Sequence, residues 1–438
     1  MEIDKTTFED LSIFDGNEYT SVFHKLNFTR TMGGKDWLMR YFHQPFNNIQ
    51  QITDTQKILS LILKKEEEWP ESITNGTVMV IERFYDTPLD ALPAGVNMVN
   101  AYGYKFFHAA DYSIIKYSVT HFADFVRGMH KLMELATLEE CPPLMTSLLR
   151  RTRFLLSHDV IQSLIDRKPG PAFSVTQVVY YGFHLQNQFK NHAVELIEIY
   201  SKLDAWYSMA MATKKFKFCF PSFSGQSQPF VSAEALYHPL LQTPTSYNVQ
   251  LSQHNNFIFL TGANMAGKST FIKAMGVAVF LAHLGMAVPA AKMELSLFNG
   301  ILSNINIVDN IVKGESYFFN EVQRIKSTIL KINNHNSWLV LIDELFKGTN
   351  VQDAMKCSSV VIEGLIKIKT SVFVLSTHLY EIGAGLKKYP NIIFKYFETS
   401  VKDDQLEFSY QLKDGISNDR LGYLILKREK VVDMLDEL

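Results

Sequence analysis

Thr261-Gly262-Ala263-Asn264-Met265-Ala266-Gly267-Lys268-Ser269-Thr270 is the stretch from which the fold is read. An apolar run, Phe257-Ile258-Phe259-Leu260, precedes it, and a helix-prone segment, Phe271 to Leu281, follows. Strand, glycine loop and helix in that order, spaced Gly262-x-x-x-x-Gly267-Lys268-Ser269, spell a P-loop. The glycines let the backbone wrap a phosphate closely, while successive N–H groups and the helix N-terminus supply positive potential. Residues Gly262, Ala263, Asn264, Met265, Ala266, Gly267, Lys268, Ser269 and Thr270 are therefore the expected nucleotide cradle. Lys268 is expected to reach the β- and γ-phosphates and the Ser269 hydroxyl to sit on Mg²⁺.

Two further buried strands are expected downstream. Trp338-Leu339-Val340-Leu341-Ile342 is closed by Asp343-Glu344, and Ser371-Val372-Phe373-Val374-Leu375 by Ser376-Thr377-His378. Each puts polar residues at the C-terminal end of a strand, where α/β sheets bind ligand. Asp343 is placed to hold Mg²⁺ through its water shell, opposite Ser269. Glu344 follows as the group that polarises the attacking water, and His378 as the one that senses or stabilises the γ-phosphate. An Asp-Glu pair without a site for a substrate hydroxyl points to a hydrolase rather than a kinase. Between these strands, Ser316 heads a helix within Lys313–Glu321. It serves as an ordinary N-cap there, and it also suits a γ-phosphate held by a partner subunit. That arrangement is a head-to-tail nucleotide sandwich with a two-fold axis.

A chain of 438 residues leaves room for about two or three domains. The formal net charge of −2 advertises no nucleic-acid partner, although a local patch is enough for one. Cys141, Cys219 and Cys357 are scattered and form no CxxC, against a disulfide scaffold or a zinc site. The opening MEIDKTTFED lacks the apolar core of a signal peptide. No run approaches the roughly eighteen apolar residues of a membrane span. The expectation is a soluble, cytoplasmic protein.

From Leu11 to about Lys215 the chain reads as helical. Helices are expected over Thr31–Phe42, Asn48–Leu63, Ser113–Thr137, Leu144–Asp166 and Ser174–Met211, with Thr53 or Asp54 able to cap an inner helix in the second. The many Phe, Tyr and Met residues read as helix-packing core. His108, His121, His130, His184 and His192 show no metal-ligand spacing with a third partner. Arg150 to Lys217 is locally basic, which suits a solvated helix face or, alternatively, a phosphate-backbone surface. Phe216 to Gly225 reads as a boundary.

Taken together, these residues resemble the ATPase domain of the MutS family of DNA mismatch-repair proteins, within the ABC-type ATPases. The family's TGPNMxGKST matches TGANMAGKST except at Ala263. Leu236–Leu241 is similar to its RHP-containing entry, Val288-Pro289-Ala290 to its VPA, and Gly314–Phe318 to its G-x-STF segment. Leu339 to Ala354 resembles LVLMDEIGRGTSTYDG, aligning Gly348, Thr349 and Asp353, and Ser376-Thr377-His378 resembles its ATH triplet. Tyr410–Gly415 and Gly422-Tyr423 are similar to the closing stretch. A fainter likeness at Thr31-x-x-Gly34-x-x-x-Leu38 resembles the opening of the family's helical core domain.

The resemblance implies an ABC-type α/β P-loop ATPase domain at 221–438, preceded by an all-α core/lever domain at 1–220. It implies ATP and Mg²⁺ as cofactors, with Glu344, His378 and Lys268 catalytic, Ser269 and Asp343 on the metal, and Ser316 and Asp353 joining the nucleotide-binding set. It also implies a homodimer through the ATPase domains, double-stranded DNA as the object of the motor, repair proteins as further partners, and no membrane. The departures are specific. Phe346 and Lys347 stand where the family has Gly and Arg, and Asn304 where it has Arg. The one Phe-x-Glu, Phe319-Asn320-Glu321, lies in the signature segment and is not the family's mismatch-reading wedge. A nucleotide-gated scaffold that grips a protein is therefore the alternative to a DNA-acting motor.

Overall fold

The computed structural model describes residues 1–134, 141–225, 228–306, 317–333, 336–402 and 405–417, with Val431 and Met434. The chain divides into two units. One comprises Met1–Lys25, Gln44–Ile52 and Phe216–Leu438, the other Leu26–His43 and Thr53–Lys215. The fold is mixed α/β, with the strands confined to the first unit.

Among the described residues that unit holds eleven strands: β1 (Glu2–Ile3), β2 (Ser222–Phe223), β3 (Val231–Leu236), β4 (Tyr247–Leu251), β5 (Phe257–Thr261), β6 (Lys292–Leu295), β7 (Gly300–Asn304), β8 (Trp338–Asp343), β9 (Val372–Ser376), β10 (Ile392–Lys402) and β11 (Gln405–Asp414). The larger sheet runs β1-β7-β8-β9-β5-β10-β11, parallel except for the final pair, and the smaller runs β2-β6-β3-β4. Every residue of β5, β7, β8 and β9 is buried, which explains why these strands read as unbroken apolar runs rather than alternations. β9 lies between β5 and β8, so the glycine-loop strand and the Asp343 strand are not neighbours. The helix Lys268–His283 packs tightly on the sheet. A Cβ on Gly276 would lie 2.6 Å from Leu11 and 2.7 Å from Leu341.

The first residues complete this sheet. β1 pairs in parallel with β7 at Gly300 and Ile301. Asp4 caps the helix Lys5–Asp10 through Thr7 N–H and binds the Arg324 guanidinium at 2.7 and 3.2 Å. Those contacts, set against burial, hold the Asp4 carboxyl down at about 2. Asp10 is buried and accepts from the backbone N–H groups of Ile305 and Asn306 at 3.0 and 2.9 Å, just past the end of β7.

Among its described residues the second unit has helices and no strand, with helices at Met32–His43, Asn75–Asp86, Met98–Phe107, Ala109–Glu134, Pro143–Leu156, Asp159–Ile165 and Val175–Gln188, and much of Ile49–Lys64 and Lys190–Phe216. Two expected long helices are each broken. Leu144–Asp166 ends at Leu156, where the Ser157 hydroxyl bonds back to Phe154 O, and restarts at Asp159. Ser174–Met211 breaks at Phe189, which separates the helices Val175–Gln188 and Lys190–Phe216 and whose ring is buried beside His158 and His192. Neither break carries Pro or Gly, so local propensity gives no warning. The helix Ile49–Lys64 runs through Thr53 and Asp54 without an inner cap; Asn48 accepts from the N–H groups of Gln50 and Gln51 instead.

Asp204, fully buried in this unit, organises the start of Met32–His43. It accepts from Arg30 N–H, Thr31 N–H and the Thr31 hydroxyl, all within 3.0 Å. A Cβ on Gly34 would lie 2.1 Å from its Oδ2, so only glycine fits beside it. Thr31 and Gly34 therefore share one physical cause for their spacing, and Leu38, one turn on, is buried.

Candidate functional site

The site lies at the C-terminal ends of β5, β8 and β9. Gly262 and Gly267 adopt φ of 141° and 110°, in the region that side-chain-bearing residues rarely enter, and Met265 between them adopts 65°. Gly262 also passes close to β10; a Cβ there would lie 3.2 Å from Phe397. The loop feeds directly into Lys268–His283, with Gly267 as its N-cap. An open cavity of about 480 Å³ is lined by Asn264, Met265, Gly267, Lys268, Ser269 and Thr270 on the loop side. Glu344 and Tyr410 face it, with Leu241, Thr243, Thr245 and Tyr247 along one wall. Ala263 and Ala266 are buried under the loop.

Lys268 is buried, and its ammonium donates to the carbonyls of Gly262 and Ala263 at 2.8 and 3.0 Å. Burial pulls its pKa down to about 8, against the opposing pull of Glu344 and Asp343. Asp343 ends β8 and accepts from the Ser376 hydroxyl at the end of β9. Glu344, the next residue, adopts φ 61° and donates its backbone N–H to Ser376 O. Its carboxylate lies 2.7 Å from His378 Nε2 and 2.8 Å from Lys347 Nζ. Burial alone would raise the Glu344 pKa, but these two partners hold it at about 2, fully ionised at neutral pH. His378 Nε2 also lies 3.3 Å from Lys268 Nζ. Lys268, His378, Glu344 and Lys347 thus form one continuous chain of polar contacts.

The donor set suits a magnesium-bound triphosphate. It offers a glycine loop in left-handed geometry, a buried cation, an exposed serine at a helix start, and a buried carboxylate at the end of β8.

Asp353 stands elsewhere. It is exposed in the first turn of the helix Val351–Leu365, where it exchanges hydrogen bonds with the N-cap Asn350, and it does not line the cavity. Ser316 lies outside the described residues, as do Gly314, Glu315, Gly422 and Tyr423. Two contributors escaped the sequence reading. Lys347 was visible only as a departure from the family pattern, and Tyr410 only as part of a closing motif. Tyr410 adopts φ 52° at the cavity mouth.

Much of the locally basic stretch is occupied within its own unit. Arg151 forms a bidentate pair with Glu195 at 2.6 and 2.8 Å, Lys202 meets Glu198, and Lys214 meets Glu66. Arg167 donates to the carbonyls of Pro171 and Ala172 and lies over the Phe173 ring. Among the described residues one group of three could hold a metal: Asp90, His108 and Asp111, brought together across a loop that sequence spacing does not reveal. None of the three cysteines forms a disulfide. Among the described residues no helix is long and apolar enough to cross a membrane.

Residues 258–433 match the family model for MutS domain V. The DNA mismatch repair protein MutS of Petrotoga mobilis is 30% identical over 247 residues, covering 55% of this chain and 30% of the relative. That of Thermotoga maritima is 28% identical over 253 residues, covering 56% and 31%. The DNA mismatch repair protein MSH3 of Vanderwaltozyma polyspora is 27% identical over 300 residues, covering 65% and 29%. The matched part of the chain thus spans about a third of the length of these relatives.

Proposed function

We propose, from the premise that the chain belongs to the MutS family through its C-terminal half, that it is an ATPase whose nucleotide cycle drives a rearrangement acting on double-stranded DNA. One observation carries the reading: the Glu344 carboxylate, ionised and held between His378 and Lys347, faces the cavity formed by the glycine loop. Lys268 and the loop amides would hold the phosphates, and Ser269 and Asp343 the Mg²⁺ ion. Bound Mg²⁺ supplies Lewis-acid polarisation of the phosphoryl oxygens. Glu344 accepts a hydrogen bond from water and orients it, and His378 fixes the direction of that carboxylate.

The ABC-type assignment, the division near residue 220 and the ATP-sandwich homodimer belong to the same proposal. Ser316 and Asp353 are its trans-acting candidates, because Asp353 is exposed on its own helix and free to meet a second subunit. ATP turnover should therefore rise more steeply than linearly with protein concentration, and Ser316→Arg should suppress it without abolishing nucleotide binding to the monomer. Linear turnover down to dilute protein would end the sandwich model.

The internal pairing of Arg151, Arg167, Lys202 and Lys214 favours a second reading, a nucleotide-gated scaffold for a protein partner. Titrating salt against binding to plain, mismatched and branched duplexes, with and without ATP, separates the two. A duplex affinity that falls steeply with salt supports the DNA motor. No binding at low salt supports the scaffold.

A further inference from the structure

We propose that Glu321 is a positioning residue for Glu344, acting through the backbone of the loop that follows it. This inference rests on the ATPase reading and extends it to a residue outside the cavity. Glu321 lies in the first turns of the helix Tyr317–Ile332 and is 1% exposed. A carboxylate so buried must be satisfied by neighbours. Both its oxygens are. One accepts from Lys347 N–H at 3.1 Å and the other from Gly348 N–H at 3.2 Å.

Those two amides belong to a segment that needs holding. Glu344 and Phe346 adopt φ of 61° and 59°, left-handed geometry that a β-carbon disfavours. Strain of this kind persists only where the surroundings over-determine it. The helix Tyr317–Ile332 supplies that determination at three points. Glu321 clamps the two amides, the Phe346 ring is buried 5.6 Å from that of Phe318, and Gly348 lies so close that a Cβ would come 2.8 Å from Phe318 N. Lys347, whose N–H is clamped, is also the residue whose ammonium holds the second oxygen of Glu344. The aim of Glu344 is thus set by a carboxylate on another helix, through one residue of shared backbone. Burial raises the Glu321 pKa and the loop amides oppose the rise, consistent with a carboxylate whose only role is to accept them.

Glu321→Gln keeps the shape but turns an N–H₂ group toward a backbone donor, so the clamp opens on one side. In the full chain with Mg²⁺ and ATP, kcat should fall about ten-fold or more while KM and the Kd for a fluorescent ATP analogue stay within about two-fold. In a Glu344→Gln background the same change should have no further effect on residual turnover, because it acts only through Glu344. Gly348→Ala, which pushes the loop from the helix without touching Glu321, should give the same split and stands in if Glu321→Gln does not fold. Wild-type kcat in both variants overturns the inference and leaves the ATPase reading intact. Loss of affinity in step with kcat, or a further loss on top of Glu344→Gln, also overturns it by showing a general structural role. An absence of ATP turnover in the wild-type chain removes the ATPase reading and this inference together.

Discussion

Two carboxylates, Asp204 of the helical unit and Glu344 of the sheet unit, are held in opposite ways. In the helical unit Asp204 is enclosed by backbone N–H groups and one hydroxyl, and burial raises its pKa. In the sheet unit Glu344 meets two side chains that titrate or carry charge, at the edge of a cavity, and its pKa is held at about 2. A carboxylate wrapped in fixed backbone donors locks one geometry. One held by movable side chains at an open mouth can exchange partners when a ligand arrives. The difference separates a carboxylate that fixes a backbone turn from one that faces the cavity.

The largest test removes the carboxylate at the cavity. Glu344→Gln should lower ATP turnover by about 10²–10⁴-fold, the range for losing a general base, while nucleotide is still bound. Turnover at the wild-type rate would take Glu344 out of the base role. Asp204→Ala addresses the other side. It strands two backbone N–H groups and a hydroxyl, at about 1 kcal/mol or more each, so chemical unfolding should report a loss of about 3 kcal/mol. Nucleotide affinity should stay within about two-fold, and a large loss of affinity would blur the contrast. Gly34→Ala presses a methyl group into the same carboxylate and should cost about 1–3 kcal/mol in the same assay.

Acid titration should move the two carboxylates in opposite directions. Glu344 and Asp4 have folded pKa values near 2, below their ordinary values of 4.5 and 3.8. Their contribution is present above those ordinary values and is lost as pH falls towards 2. Asp204 is raised, so the folded state holds its proton longer. Its contribution is greatest below the ordinary 3.8 and declines as pH rises through the raised value. Asp204→Asn should therefore flatten the decline on the rising side, and Glu344→Gln the loss on the acid side, in unfolding curves taken across pH. The smallest expected effect concerns strain without chemistry. Lys217 is exposed at φ 53°, and Lys217→Gly should stabilise the chain by about 1 kcal/mol with turnover unchanged.

The cradle was legible because it is local. The spacing from Gly262 to Ser269, the strand before it and the helix after it lie within one short stretch, and so do Asp343-Glu344 at the end of an apolar run. Glu321 was not legible, because its partners are backbone amides 26 and 27 residues away and an amide leaves no mark in sequence. The break at Phe189 was hidden because no helix-breaking residue marks it; a buried ring stands there instead. Thr31 and Gly34 were legible as part of a pattern but not as a cause, since Asp204 lies 173 residues beyond Thr31.

β1 has a consequence in time. Glu2 and Ile3 leave the ribosome before the rest of the sheet, yet their partners Gly300 and Ile301 are made almost three hundred residues later. At roughly 5–20 residues per second the opening segment waits about 15–60 s for its place in the sheet. In that interval the helical segments at 26–43 and 53–215 are already synthesised, so Glu2 and Ile3 wait without their β7 partners while those segments are made. Translation speed and holding chaperones, rather than the final contacts, should then govern how much of this protein reaches its native sheet.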